Sequence, residues 1–467
     1  MHNMNTRKTI IITIIRGMMA RNLLKNDFYK ILREKFNIVI LTPAANDERF
    51  VEEFAHPNVK FVYFEERGHS LPDKIFVGLN KYLIYNKYIG LKLKHGIRGL
   101  SRPEDLSIFR YWLFKIIFKP LSKVRFLRDF VKLLDYLFVQ RKDVKEFKEL
   151  IKKENPSLVV STSIMSDIET AVIKAAKKMK VRVVGMPKSW DNPSRAGFRA
   201  KVDTLVVWSD FMAEQSEKFQ NYKRKDIRVI GIPQFDYYTD KSRIWSKKKF
   251  CNEFGLDINK PIILFTSEGK AIPEDKEIAT IIHDFIDKNE LKKDCQLLIR
   301  PHFFYKDEEK KFTHLLGKKN VVVDLSNNPS AGFRDHADYS WYHLERFMNS
   351  LYYADVVVNV ASTIALDAIA LDKPVIHFAY DVYKEMEKSH SLKLCYASDY
   401  NLEIVNSRAT KLAESKEDFK NLLNRYLENP ELEGVERQGL RDRFCYKIDG
   451  NSGKRFTDVI IKAIETV

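Results

Sequence analysis

Residues 352–378 read YYADVVVNVASTIALDAIALDKPVIHF. The valine-rich run over 355–360 is short and β-branched, and it reads as a buried strand. Ala361, Ser362 and Thr363 then open a stretch with helical spacing, 364–371, and Pro374 introduces a second apolar strand within 373–380. Strand, helix and strand in such close succession form a βαβ unit, the building block of a parallel sheet. The Ser362–Thr363 pair falls at the start of the helix, where unpaired N–H groups and the positive end of the dipole can hold a phosphate or pyrophosphate. Plain helix capping is the alternative, and it needs only one such residue.

The same alternation extends outward from this unit in both directions. Towards the N-terminus, PIILFTSEG (261–269), CQLLIRPH (295–302) and NVVVDLS (320–326) are strands, with helices near 275–288 and 341–352. An earlier series runs TIIITII (9–15), a helical stretch over 20–36, NIVILTP (37–43), VKFVYFE (59–65), SLVVSTS (157–163), VRVVGMP (181–187) and TLVVWS (204–209). Between the two series, IRVIGIPQFDYY (227–238) reads as a strand ending at Gly231 and Pro233, followed by a polar, basic stretch. The expected fold class is therefore α/β: two Rossmann-like, doubly wound domains facing across a cleft. The boundaries are 1–235, 236–452 and a closing helix, 453–467.

The 467 residues are too many for one core, which agrees with two domains. Cys251, Cys295, Cys395 and Cys445 are widely spaced, fit neither a disulfide framework nor a zinc site, and read as reduced thiols of a cytosolic protein. The net charge is +17, and residues 81–150 carry 17 Lys and Arg against 7 Asp and Glu. Within that basic helical insertion, FRYWLFKIIFKPLSKVRFLRDFVKLLDYLF (109–138) interleaves bulky apolar and basic side chains at helical spacing. It is too interrupted to span a bilayer. It can lie on an anionic membrane surface, or pack one face on the core and expose a basic face to water. Its apolar loading and the lack of a nucleic-acid motif argue against nucleic acid. The opening MHNMNTRKTIIITIIRGMM has too short an apolar core and no cleavage site for a signal peptide, so a first β-strand is expected there.

Candidate site residues cluster at strand ends. In LIRPHFF, Arg300 and His302 follow a strand, where arginine can neutralise a diphosphate and histidine can bond phosphate or move a proton. In FTSEGK, Ser267, Glu268 and Gly269 share that rim, and Gly269 permits close backbone approach or forms a simple turn. The loop KSWDNPSRAG (188–197) places Lys188, Trp190, Asp191 and Asn192 together. Asp191 is either a proton acceptor or a turn cap, and Trp190 either stacks on a ligand or packs in the core. In RGMMARN, Arg16, Gly17 and Arg21 follow the first strand and would line an acceptor side. No D-x-D metal site stands in the sequence.

Together, VIGIPQFD, RPH and ADVVVNVASTIALDAIALDKPVI resemble the C-terminal half of GT-B glycosyltransferases, in the branch of CDP-glycerol glycerophosphotransferases and related capsule or surface-polysaccharide transferases. In that branch a D-x-x-S-S/T segment contacts donor phosphates, and Ser362 and Thr363 match it. Asn359, Val360 and Ala361 depart from the family's preceding residues. SWDN is similar to a loop in a subset of these sugar transferases. The glycerophosphotransferases carry Trp-His-Gly there, so the resemblance puts Asp191 where they keep the proposed histidine base. KIDGNSGKRFTDVI resembles the family's last helix, which packs back toward the N-terminal domain. The resemblance covers about 157–467 and is absent over the basic insertion. It implies a metal-independent glycosyltransferase of bacterial surface-polysaccharide (capsule, cell envelope) biosynthesis. Such an enzyme is cytoplasmic and peripheral on the inner membrane face, with a nucleotide-sugar as substrate, no cofactor, and a lipid-linked or glycan acceptor. The catalytic pair would be Asp191 and His302. Donor contacts would come from Ser362, Thr363, Arg300, Glu268, Gly269 and Ser267, and acceptor contacts from Arg16, Gly17, Arg21, Lys188, Trp190 and Asn192. A CDP-polyol phosphotransferase, a non-catalytic GT-B binding subunit and a sugar-nucleotide epimerase remain the alternatives.

Overall fold

The computed structural model describes residues 7–65, 68, 70–95, 104–303, 307–326, 328–383 and 390–466. The opening strand TIIIT forms β1 (Thr9–Thr13), and it is flanked in the first sheet by β2 (Asn37–Thr42) and β4 (Leu158–Ser161). Outside these lie β3 (Val59–Tyr63) on one side, then β5 (Arg182–Gly185), β6 (Thr204–Val207) and β7 (Ile227–Val229) on the other. The seven strands are ordered β3-β2-β1-β4-β5-β6-β7, and every pairing is parallel. The second sheet repeats the plan with β8 (Ile262–Thr266), β9 (Gln296–Arg300), β10 (Val321–Val323), β11 (Val356–Asn359), β12 (Val375–Phe378) and β13 (Thr410–Ala413). Its order is β10-β9-β8-β11-β12-β13, again parallel throughout. The strands are apolar on both faces because helices cover both, as a parallel sheet requires.

In each sheet the order reverses between two neighbouring strands, β1/β4 in one and β8/β11 in the other. Chains leave such a point in opposite directions, which opens a crevice at the carboxyl ends of the strands. The two crevices face each other. Contacts tie the halves together around them: Arg49 bonds Asp338 at 2.9 Å, and the amides of Gly17 and Met18 donate to the two carboxylate oxygens of Asp335. Asp236 accepts from the amides of Ser452 and Gly453 at the start of the last helix, Ser452–Glu465. That helix packs Phe456 on Phe28, and Arg182 donates to the Ala463 carbonyl.

Local chemistry shifts several predicted boundaries. The stretch expected to be one helix over 20–36 is two helices, Gly17–Leu24 and Asp27–Lys35. Asn26 separates them by turning extended and accepting the Phe28 amide with its side chain, which caps the second helix. The strand expected over 227–238 is only three residues long; Pro233 then starts a 3₁₀ segment to Thr239, since proline lacks the N–H that a ladder needs.

Between β3 and β4 run the helices Leu71–Tyr82, Lys87–His95, Glu104–Leu121, Arg125–Phe138 and Arg141–Glu154. A buried charge network anchors them. Arg199 donates to Asp73, Asp135 and Asp167, and Lys174 bonds Asp135 at 2.5 Å. No helix among the described residues is long and apolar enough to cross a membrane.

Candidate active site

Each side of the cleft is built from a strand end. β5 carries Lys188, Trp190, Asp191 and Asn192 into a tight turn that closes as a short helix, Asn192–Arg195. Across the cleft, β8 delivers Ser267 and Glu268, β9 delivers Arg300 and His302, and β11 delivers Ser362 and Thr363. These ten residues, with Arg21 from the helix after β1, line one cavity of about 320 Å³.

Asp191 is 4% exposed. One carboxylate oxygen accepts from Arg195 at 2.6 Å and the other from the Asn192 amide nitrogen at 3.0 Å. Asp191 also raises the Arg195 pKa well above its ordinary value. Burial, with Arg16 nearby, lowers the Lys188 ammonium pKa. Trp190 is buried among Phe211, Tyr400 and Phe444, yet its ring still borders the cavity. Its indole N–H has no hydrogen-bond partner among the described residues.

On the opposite wall Ala361 has φ = +49°, a left-handed conformation that costs a residue with a Cβ about 1–2 kcal/mol. The kink turns the chain out of β11 so that Ser362 and Thr363 meet the cleft; such strain concentrates at functional sites. The Ser362 hydroxyl accepts the Ile364 amide and hydrogen-bonds the Glu268 carboxyl, while Thr363 stays exposed. Burial pushes Glu268 up to about 7. His302 is pushed down to about 4 by burial, so it is a neutral imidazole at physiological pH. Arg300 is spent differently from expectation: its guanidinium is paired with Asp324, which also holds Arg346 at 2.9 Å. Arg346 also pairs with Glu253 at 2.9 Å, so the two guanidiniums behind this wall are balanced by two carboxylates.

Three predicted residues fall outside the cavity. Gly269 lies behind Ser267, donating its N–H to the Ser267 hydroxyl at 3.0 Å. The Gly17 amide is taken by Asp335, and a Cβ there would come within 2.9 Å of the Ala337 carbonyl, so this glycine serves domain contact. Arg16 donates to the Ile15 carbonyl and is likewise not a lining residue.

The structure adds residues that sequence reasoning missed. Arg195 is the partner of Asp191. Asp367 lines the cavity one turn beyond Thr363, accepts from Tyr238 at 2.5 Å, and is pushed up to about 6 by burial. Its signal was present as a lone acid in the apolar helix Ile364–Ala370. Tyr400 and Asn401 arrive from a distant helix, Asp399–Asn406, and Phe303 stacks under Arg21 at 5.0 Å. Nothing local in the sequence marks those three.

Two Rossmann-type sheets closing on one polar cleft define a GT-B protein, and here a transferase. The sequence profile of the family described as CDP-Glycerol:Poly(glycerophosphate) glycerophosphotransferase matches residues 155–462, more than half of the chain, and the chain belongs to that family. No curated protein sequence matches it significantly. Among solved structures, UDP-GlcNAc 2-epimerase from Neisseria meningitidis bound to UDP-GlcNAc is similar, with TM-score 0.55, 14% identity, and coverage of 98% of this chain and 100% of that one. A glycosyltransferase from Rickettsia africae has TM-score 0.52 and 12% identity over 100% of both chains. The wall teichoic acid polymerase TagF, in a structure with CDPG, has TM-score 0.50 and 13% identity, covering 98% of this chain and 89% of that one. At these identities the likeness is one of fold.

Proposed function

We propose that the protein transfers a sugar from a nucleotide-sugar to a lipid-linked or glycan acceptor in bacterial surface-polysaccharide (capsule, cell-envelope) assembly, working in the cytoplasm at the inner membrane face. The observation that carries this reading is the single cavity that sets the Asp191–Arg195 pair opposite Ser362, Thr363 and Glu268. The acceptor hydroxyl enters from the side of Lys188, Asn192 and Arg21. Its oxygen forms the new bond to the anomeric carbon as the bond from that carbon to the donor phosphate breaks. The hydroxyl proton passes to Asp191, and the departing nucleoside diphosphate takes the electron pair. Charge grows on that leaving group, so donors aimed at it lower the barrier. Thr363 and neutral His302 line the cavity where that leaving group would sit, and Glu268, raised to about 7, is partly protonated near neutral pH.

A CDP-polyol phosphotransferase is the second reading, and the match to the glycerophosphotransferase family favours it. A donor panel separates the two. Nucleotide release from a UDP- or other NDP-sugar in the presence of a membrane extract as acceptor is the expected result. Release from CDP-glycerol or another CDP-polyol alone would replace the sugar reading by the second. Turnover of donor without acceptor would point to an epimerase, and no stabilisation by any nucleotide diphosphate to a binding subunit.

A further inference from the structure

A second cavity, larger than that of the cleft, borders the helices between β3 and β4. It measures about 1190 Å³, and eight of its lining residues are Lys or Arg against two Glu. One acid, Glu214, is already held by Arg443 through two bonds of 2.6 Å. Among the described residues, Lys87, Lys94, Lys119 and Lys123 make no ion pair. Arg128 on the Arg125–Phe138 helix is 6% exposed and donates to the carbonyls of Lys218 and Phe219, but its buried Nε has no partner. Burial and neighbouring Arg125 both lower its pKa. Eight cations against the one remaining carboxylate, Glu217, repel one another, and a multivalent anion relieves that repulsion.

The groove also has a position in the fold. On the Glu104–Leu121 helix, Tyr111, Lys115 and Lys119 recur at helical spacing and, with Ser122 just beyond its end, form one wall. The adjoining stripe on the same helix is apolar and open to solvent, with Phe109 67%, Trp112 52% and Ile116 69% exposed. Phe126, 75% exposed, continues it on the next helix. An apolar stripe beside a basic pocket suits an amphiphile whose anionic head is multivalent. At the other end, Leu91 and His95 line both this groove and a smaller cavity of about 300 Å³. That smaller cavity shares Arg195, Glu268, Ala361, Tyr400 and Asn401 with the central cleft.

We infer that the groove binds the diphosphate headgroup of a polyprenyl-type lipid carrier, and that the glycan borne by that lipid reaches the cleft past the Lys87–His95 helix. Only the identification of this lipid as the acceptor rests on the transferase reading above; binding at the groove is a separate property. The test uses the full chain and geranylgeranyl diphosphate in neutral detergent micelles, followed by the fluorescence of Trp112 and its neighbours. Lys94→Ala/Lys119→Ala/Lys123→Ala alters three exposed residues outside the cleft and should weaken binding at least about tenfold, as loss of charge-assisted phosphate contacts does. Lys119→Glu alone should act in the same direction, and nucleotide thermal shifts should stay unchanged for both variants. Undiminished diphosphate binding in both would overturn the assignment. Equal loss of binding to phosphatidylglycerol micelles, or to inorganic pyrophosphate without the lipid tail, would overturn it in favour of a general anionic surface or a free-phosphate site. None of these outcomes depends on which donor the cleft accepts.

Discussion

Asp191 and Glu268 are carboxyl groups on opposite walls, and their surroundings separate their roles. Asp191 is bound and oriented by Arg195 at 2.6 Å, which suits a proton acceptor that must be held in place. Asp191→Asn is expected to lower turnover by at least about 100-fold while donor affinity, read by nucleotide titration, is preserved. Equal loss of both would make Asp191 a structural or donor-facing group. Glu268 behaves in the opposite way. Its folded pKa, about 7, lies above that of an unfolded glutamate, so the folded chain binds the proton more tightly. The stability this adds is complete at acid pH and is lost as pH rises through about 7. Thermal melts of wild type and Glu268→Gln between about pH 5 and pH 8 should therefore differ in slope, the variant being flatter. Asp367, also raised, remains in both proteins and cancels, whereas Asp275 is raised partly by the Glu268 charge, so removing that charge flattens the variant's profile further. Most of the cleft residues were legible in the sequence because they stand at the carboxyl ends of strands recognisable by composition. Arg195 was visible in the same loop, yet its pairing required the turn.

At the scale of elements, the loop after β5 owes its position to the helices inserted before β4. Gly197 ends that loop, and a Cβ on it would lie 2.1 Å from the Asn80 carbonyl at the end of the Leu71–Tyr82 helix. Gly197→Ala must push that helix away, at a cost of about 1–3 kcal/mol, visible as a lower denaturation midpoint. Arg199, two residues on, ties the same helix to Asp135 and Asp167. Arg199→Ala leaves buried carboxylates uncompensated and should cost about 3–5 kcal/mol in chemical denaturation. A destabilisation below about 1 kcal/mol would mean that water replaces the guanidinium there. The helical periodicity of 109–138 could be read directly, but not its partners. Arg128, Lys132 and Asp135 are buried against the carbonyls of Lys218 and Gln220 and against Arg199, contacts distant in sequence.

For the whole molecule, the exposed apolar side chains of the Glu104–Leu121 and Arg125–Phe138 helices form the feature with most consequence for localisation. Trp112, Ile116, Phe126 and Phe138 are all open to solvent, with Lys119 on the first helix and Lys123 in the turn between the two. If this face docks on a bilayer, partition onto vesicles should require anionic lipid and weaken with salt. Trp112→Ser/Phe126→Ser should reduce it about tenfold or more through lost apolar burial. Partition that ignores lipid charge and both substitutions would leave the face as an ordinary solvated surface.

The sequence by itself determined the two parallel sheets, because their short β-branched strands separated by helices admit few other arrangements. It also placed the motif residues at the sheet ends, since strand order and side-chain type are local properties. Tertiary structure alone decided which of those residues share a cavity. It turned Gly17 and Gly269 to packing, spent Arg300 on Asp324, and brought in Tyr400, Asn401 and Phe303. The reason is physical: a cleft between two domains is lined by residues hundreds of positions apart, and only the packing of one half on the other sets their distances.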